Sequence, residues 1–302
     1  MQEYAPSRYK ILEKVGEGVH GSVFKAIDLK RNRFVAIKKV VLKNKFGNIS
    51  LNTVREIKIL QLVNCEYIVN ILEVFPDLIG LGMILEYMPD TLYGRLKNDS
   101  NPLSRQQVRK YTQMMLMGIE YLHLKEIMHR DIKPANLLIN GNDILKIADF
   151  GLARLYFPEA NNRLYSPQVS TRWYRAPEIL WGCQKYGPPV DIWAAGCVLA
   201  EMLRGVPLFA GTTDIEQLAL VIRTLGTPRL NEWPELTSLP DYNKIRFPNA
   251  TGIQWDKLFP SCTYGIEIDL VANLVVYNPR NRLTASEVNF SENNLSAYQR
   301  IL

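Results

Sequence analysis

An α+β fold in two unequal lobes is predicted for this chain of 302 residues, and two observations carry the prediction. The first 87 residues hold five short runs rich in β-formers, separated by turn signals, and a single helical run. Beyond Met88 the apolar residues recur mainly at helical spacing. A sheet lobe with one helix, followed by a mainly helical lobe, is the arrangement that follows.

The strand candidates are Tyr9–Val15, Val23–Asp28, Phe34–Val40, Ile68–Phe75 and Leu81–Glu86. Between them, Asn52–Val63 puts Val54, Ile57 and Leu60 at helical spacing. Tyr87–Pro89 reads as a short hinge. Ser104 and Gln107 then form a capping box ahead of Val108, Tyr111, Met115, Ile119 and Leu122. Thr213 with Glu216, and Thr284 with Glu287, mark further helix starts. Two short strands, Leu137–Ile139 and Ile144–Ile147, interrupt the helices. The apolar run Ile192–Leu203 is broken by Glu201 and too short to span a bilayer, so a buried helix is expected there.

Hydrophobic residues make up 47% of the chain and charged residues 22%, as in ordinary globular proteins. The net charge of +6 is mild basicity; it fits an anionic ligand. No dense basic run of the nucleic-acid type is present. Cys65, Cys183, Cys197 and Cys262 form no C-x-x-C pair, which points to reduced thiols in a cytosolic or nuclear compartment. No His/Cys cluster has zinc spacing. The segment MQEYAPSRYK has no apolar signal core, and no membrane insertion is expected.

The first chemical motif is GEGVHGSV, Gly16 to Val23. Glycine lets backbone amides approach phosphates closely because no Cβ intervenes. The loop lies between two strand candidates and opens no helix, which argues against a dinucleotide site. The next strand ends in VAIK at Lys38. A glycine-rich hairpin and a snorkelling lysine would explain either feature alone. Together they favour a clamp on the α- and β-phosphates, with Glu56 as the ion-pair partner of Lys38.

The decisive stretch is HRDIKPAN, His129 to Asn136, followed by DFG at Asp149–Gly151. Phosphoryl transfer needs Mg²⁺ on the triphosphate and an acceptor hydroxyl held in line. Asn136 and Asp149 offer two oxygen ligands for Mg²⁺. Asp131 is placed to accept the hydroxyl proton, and Lys133 to neutralise charge on the moving group.

With these motifs and APE at Ala176–Glu178 in order, the chain resembles the eukaryotic protein kinase family over essentially its whole length. The resemblance implies the two-lobed protein kinase fold, with a domain over residues 9–290 (lobes of about 9–87 and 88–290) and a tail at 291–302. It implies ATP and Mg²⁺ in the cleft between the lobes. The ATP-binding residues would be Val15, Gly16, Glu17, Gly18, Val19, His20, Gly21, Ser22, Val23, Lys38, Glu86 and Met88. Leu85 would gate the pocket behind the adenine, and Asp90 would meet the ribose. Asp191, in DIWAAGC, resembles the aspartate that braces the catalytic loop, and Arg282 the arginine paired with Glu178.

Lys133 after the HRD motif resembles serine/threonine kinases. The segment STRWYRAPE, with Arg175, resembles the group of cyclin-dependent and mitogen-activated kinases. In that group the arginine turns a backbone segment away from the substrate, so that proline, which has no N–H, fits after the phosphosite. Ser-Pro and Thr-Pro substrates follow. The loop from Leu152 to Arg175 lacks T-x-Y, and NTVRE (Asn52–Glu56) resembles a divergent cyclin-contacting helix. These features, with DIEQL and WPELTSLPDYNKI, resemble the cell-cycle-related kinase branch of the cyclin-dependent kinase family.

That resemblance implies a cyclin or another activator, and a role in the cell cycle or the cilium. The location would be nuclear, cytoplasmic or ciliary. Ser166 stands at the activating phosphosite, where an activating kinase would place a phosphate for Arg55, Arg130 and Arg154. Val19-His20 replaces the Thr-Tyr pair of inhibited relatives, so that inhibition is expected to be absent. The ending SEVNFSENNLSAYQRIL lacks the H-P-F-like close of the family. A pseudokinase scaffold is the alternative reading. Loss of Lys38, Asp131 or Asp149 would favour it, and all three are present. A kinase for small metabolites fits less well with the APE loop and the long segment from Pro207 to Tyr264.

Overall fold

The computed structural model describes residues 7–18, 21–41, 50–77, 80–98, 100–157, 164–166 and 171–288. The small lobe runs β1 (Tyr9–Gly18), β2 (Gly21–Asp28), β3 (Arg33–Val41), α1 (Leu51–Leu62), β4 (Ile71–Asp77) and β5 (Gly80–Glu86). Its five strands form one antiparallel sheet in the order β1-β2-β3-β5-β4. Strand alternation sorts the side chains. Phe24, Ala26, Val35, Ile37 and Ile84 pack with Tyr9 and Phe75 as a core on one face. Val23, Ala36, Lys38 and Leu85 line the cleft on the other. Pro76 sits in β4, an edge strand, where its missing N–H costs no ladder bond.

The helix α1 starts at Ser50, whose hydroxyl accepts from the Thr53 amide at 3.1 Å. Ile57 and Leu60 are buried as the spacing predicts, but Val54 is exposed. The inward face is set by Thr53, Glu56, Ile57 and Leu60, because Glu56 must reach Lys38; Val54 falls outside that arc.

The large lobe begins with β6 (Asp90–Thr91), α2 (Leu92–Leu96) and α3 (Arg105–Leu124). The α3 capping box is complete, and Val108, Tyr111, Met115, Ile119 and Leu122 are all buried. Then come β7 (Ile127–Met128), β8 (Leu137–Ile139), β9 (Leu145–Ile147) and β10 (Arg154–Leu155). They form two small sheets, β6-β8-β9 and β10-β7. The chain continues through α4 (Pro177–Leu180), α5 (Pro189–Arg204), α6 (Asp214–Leu225) and α7 (Gly265–Leu274).

Every residue of α5 from Val190 to Met202 is buried, which explains why its sequence is apolar nearly all round. Gly205, at φ 75°, ends it in the left-handed conformation. Thr213 caps α6 by accepting from the Glu216 amide. Thr284 and Glu287 make the reciprocal bonds of a capping box, and the segment beyond Val288 lies outside the described residues.

One strand assignment is corrected. Ile68 and Val69 were expected to open β4, but the ladder starts at Ile71. Ile68 instead bridges Ile147 in parallel, with Val69 N donating to Ile147 O at 3.0 Å and Ile147 N to Tyr67 O at 2.8 Å. Their backbone groups are satisfied by β9 of the other lobe, so the sheet loses them. No helix among the described residues is long and apolar enough to cross a membrane.

Candidate active site

The cleft between the lobes measures about 800 Å³ and is roofed by the β1–β2 hairpin. Val15, Gly16, Glu17, Gly21 and Val23 line it; Val19 and His20 lie outside the described residues. The glycines differ in what holds them. A Cβ on Gly21, at φ 135°, would come 2.0 Å from Lys39 O, so the β2–β3 contact itself requires glycine. A Cβ on Gly16 would meet only Val23 Cβ at 3.7 Å. The protein's own packing makes no such demand there, which leaves that backbone open to a ligand.

From β3, Lys38 Nζ reaches Glu56 Oε1 of α1 at 2.5 Å and Asp149 Oδ1 at 3.5 Å. Burial opposes its charge, but Glu56 and Asp149 outweigh it and hold the ammonium pKa above its ordinary value. A fixed cation therefore faces the cleft.

The catalytic loop hangs on Asp191 of α5, a fully buried carboxylate. Its Oδ2 accepts from His129 N at 2.9 Å and His123 Nε2 at 3.0 Å, and its Oδ1 from Arg130 N at 2.7 Å. These bonds hold Arg130 at φ 67°, a conformation non-glycine residues rarely adopt. Asp131 follows directly. Its Oδ2 accepts from Asn136 Nδ2 at 2.9 Å and pairs with Lys133 Nζ at 2.7 Å; its Oδ1 accepts from Thr171 N at 3.0 Å. The carboxylate is thus oriented from three sides at the mouth of the cleft.

Asn136 spends its amide N–H groups on Asp131, at the carboxylate and at the carbonyl, each 2.9 Å. That turns its oxygen the other way. Asp149, at φ 63°, adds a carboxylate whose side chain is 36% exposed and lines the same cleft. Two oxygens with room for solvent and phosphates suit Mg²⁺, which keeps several waters and takes few protein ligands. Among the described residues, no three His, Cys, Asp or Glu side chains converge on a metal position.

At the hinge, the Glu86 carboxylate is committed: Lys146 Nζ donates to it at 2.8 and 3.0 Å, and Asn70 N at 2.8 Å. Met88 lines the cleft beside it. Leu85 lines it as well. Asp90 also faces the cleft, but its carboxylate already holds Arg95 and the Thr91 amide.

Several partners were not read from sequence. Thr171 binds Asp131 through its amide and accepts from Lys133 Nζ through its hydroxyl at 2.9 Å. Asp214, the first residue of α6, pairs with both Arg172 and Arg175. The stretch 167–170, which Arg175 was expected to support, lies outside the described residues. Tyr186 links Arg130 to Ser166: Arg130 Nη1 donates to its hydroxyl at 2.6 Å, and the hydroxyl donates to Ser166 O at 2.7 Å. Arg55 and Arg154 both reach Asn52 Oδ1, at 2.9 and 3.5 Å. Ser166 itself is exposed. Arg282 closes the lobe beneath, with two bonds to Glu178 at 2.7 and 2.6 Å.

A fold of this kind, with a fixed lysine, a braced aspartate and two oxygens around one cleft, defines a phosphoryl-transfer enzyme of the protein kinase class. The protein kinase domain family matches residues 9–292. Cyclin-dependent kinase 20 of Danio rerio is 47% identical over 281 residues, covering 93% of this chain and 81% of the relative; that of Pongo abelii is 46% identical with the same coverage. Cyclin-dependent kinase D-1 of Oryza sativa subsp. japonica is 40% identical over 93% of this chain and 65% of the relative. The chain belongs to the cyclin-dependent kinase family of protein serine/threonine kinases.

Proposed function

We propose that this kinase transfers the γ-phosphoryl group of ATP to serine or threonine followed by proline in protein substrates. The observation that carries the reading is Asp131, whose carboxylate is aimed by Asn136, Lys133 and Thr171 at the cleft mouth. Asp131 orients the acceptor hydroxyl and takes its proton as the new O–P bond forms. Lys133 offsets charge on the transferred group, and Lys38, fixed by Glu56, holds the α- and β-phosphates. Asn136 and Asp149 would hold Mg²⁺, which neutralises phosphate charge when bound. The hairpin residues Val15–Val23, with Glu86 and Met88 at the hinge, would bind the rest of ATP.

The proline preference rests on Arg175, half-buried and paired with Asp214 at the end of the loop from Leu152. An N–H after the phosphosite would be left without a partner, at a cost of about 1–3 kcal/mol, whereas proline has none. A phosphate on Ser166 would draw in Arg130, already linked to that residue through Tyr186, together with Arg55 and Arg154. A cyclin or another activator would bind over α1, where Leu51 and Val54 are exposed. By resemblance to the cell-cycle-related kinase branch, the work would serve cell-cycle or cilium control from a nuclear, cytoplasmic or ciliary location.

The test is transfer from labelled Mg-ATP to matched Ser-Pro and Ser-Ala peptides by the wild type and by Asp131→Asn. The reading expects label on Ser-Pro alone and none from the variant. Equal labelling of both peptides refutes the proline rule. Labelling by Asp131→Asn at the wild-type rate refutes the catalytic assignment.

A further inference from the structure

A nucleotide with its base at the hinge and its phosphates at Lys38 lays its sugar over residues 89–91, where the chain leaves the hinge. Among the described residues, Asp90 is the carboxylate that lines the cleft there. The others belong elsewhere: Glu17 to Lys14 in the hairpin, Glu86 to Lys146, Glu56 to Lys38, and Asp131 and Asp149 to the phosphate end. We propose that Arg95 withholds Asp90 from the sugar, so that the kinase uses adenosine triphosphate lacking the 2′- or the 3′-hydroxyl as phosphoryl donor nearly as well as ATP. The proposal rests on the reading of this cleft as the ATP site.

The local sequence DTLYGR, Asp90 to Arg95, sets the arrangement. Thr91 caps α2 by accepting from Gly94 N at 2.9 Å. Asp90 and Arg95 therefore stand just before the cap and one turn into the helix, two positions that meet at a helix start. Arg95 Nε donates to Asp90 Oδ2, and Thr91 N donates to Oδ1 at 2.8 Å. Gly94 makes room for the carboxylate, since a Cβ there would stand 3.1 Å from Oδ1. The Asp143 carboxylate, itself held by Lys110 Nζ at 3.0 Å and by the Tyr111 hydroxyl, adds its attraction to the Arg95 charge.

Both Asp90 oxygens thus keep a partner whether or not a sugar hydroxyl is present. A carboxylate that waits for a hydroxyl behaves differently. When the hydroxyl is missing, a charged acceptor loses its bond and binding weakens about tenfold or more. Here the missing hydroxyl strands no oxygen, and the Asp90 side chain is 36% exposed, so water takes the vacated place. The Thr91 hydroxyl keeps its bond to Gly94 in the same way.

The step balances as it does with ATP. The acceptor hydroxyl oxygen forms a bond to the γ-phosphorus, and the bond from that phosphorus to the β–γ bridging oxygen breaks. The deoxy-ADP leaves with the electron pair, and the hydroxyl proton passes to Asp131 and on to water.

The test uses the full chain and two readouts. Calorimetry gives the Kd of Mg-ADP, Mg-2′-deoxy-ADP and Mg-3′-deoxy-ADP, and peptide labelling gives kcat/KM for the matching triphosphates. We expect both deoxy forms to stay within about threefold of the ribose form in both readouts. A larger loss with either form, in a protein that binds Mg-ADP and labels the peptide from ATP, overturns the proposal and spares the kinase reading. A chain that neither binds Mg-ADP nor labels any peptide from ATP fells both. Arg95→Met, checked for folding by its melting temperature, should release Asp90 to the sugar, and at least one deoxy form should then bind about tenfold more weakly than Mg-ADP. Adding Asp90→Ala should bring the ratio back within about threefold. A folded Arg95→Met that still ignores both hydroxyls, or discrimination that survives Asp90→Ala, also overturns the proposal. The wild-type comparison decides alone if Arg95→Met does not fold.

Discussion

Replacing Asp191 by Asn removes one of the two oxygens on which the catalytic loop hangs. The remaining oxygen can keep His129 N and His123, which share Oδ2 in the wild type. The new NH₂ then faces Arg130 N, donor against donor, where a 2.7 Å charge-assisted bond stood. A buried donor left without a partner costs about 1–3 kcal/mol, and the lost bond to a charged group about 1.5–3 kcal/mol. These overlap, so a net loss of about 3 kcal/mol in unfolding free energy is expected. Arg130 then has reason to leave φ 67°, a conformation that itself costs of order 1–3 kcal/mol.

Asp131, the next residue, moves with it, and a displacement of about 1 Å at a reacting group costs roughly 10²-fold in rate. The assay is kcat and the KM for ATP by peptide labelling, alongside urea unfolding. We expect kcat to fall about 100-fold with the KM for ATP little changed, because Lys38 and the β1–β2 hairpin are held independently. A variant that loses stability but keeps kcat within about threefold refutes the idea that Asp191 sets the position of Asp131.

The same residue gives a pH signature. Burial alone would raise the Asp191 carboxyl, but the His123 bond and charge, His129 and the Arg130 amide outweigh it and hold it below its ordinary value. A depressed folded-state pKa contributes stability that is complete above the unfolded value, about 3.9, and is lost as pH falls through the folded one. The stability gap between wild type and Asp191→Asn should therefore narrow below about pH 4.

Three further outcomes follow from other contacts. Arg282→Leu strands the buried Glu178 carboxylate and should cost about 3–5 kcal/mol, read from the urea midpoint; adding Glu178→Leu should restore most of it. Thr171→Ala removes the hydroxyl partner of Lys133 and should lower kcat about tenfold without moving the KM for ATP, while Thr171→Ser retains activity. Lys146→Met frees the Glu86 carboxylate at the hinge and should raise the KM for ATP several-fold with little change in kcat; Lys146→Arg should recover part of it.

The residues that were legible in sequence are those whose partners lie in the same motif or whose spacing repeats. Ser104 with Gln107 announces α3, and HRDIKPAN carries Asp131, Lys133 and Asn136 within six positions. Contacts closed by the fold left little trace. Tyr186 meets Arg130 across 56 positions, Lys146 meets Glu86 across 60, and Asp214 meets Arg175 across 39. Nothing in their own neighbourhoods distinguishes them from solvated polar residues. Thr171 had a weak signal, as the polar residue directly before Arg172 in a quoted motif. Val54 misled because a helical stripe tells which residues share a side, not which side the partner lysine will claim.

The short link between the lobes is fastened at both ends. Glu86 is tied to Lys146 of β9, and Asp90 and Thr91 pair with β8. Residues 87–89 of that link stay free, and the bonds of Tyr67 and Val69 to Ile147 give the small lobe a second footing on β9, so a tilt of the small lobe would turn on an axle set by both. The glycine hairpin rides three strands away from β5, about 14 Å out along the sheet. A tilt of ~10° at the axle therefore lifts the hairpin by roughly 2–3 Å at that spacing. That is enough to loosen a phosphate grip while leaving the aspartate, the asparagine and the loop that carries them undisturbed below.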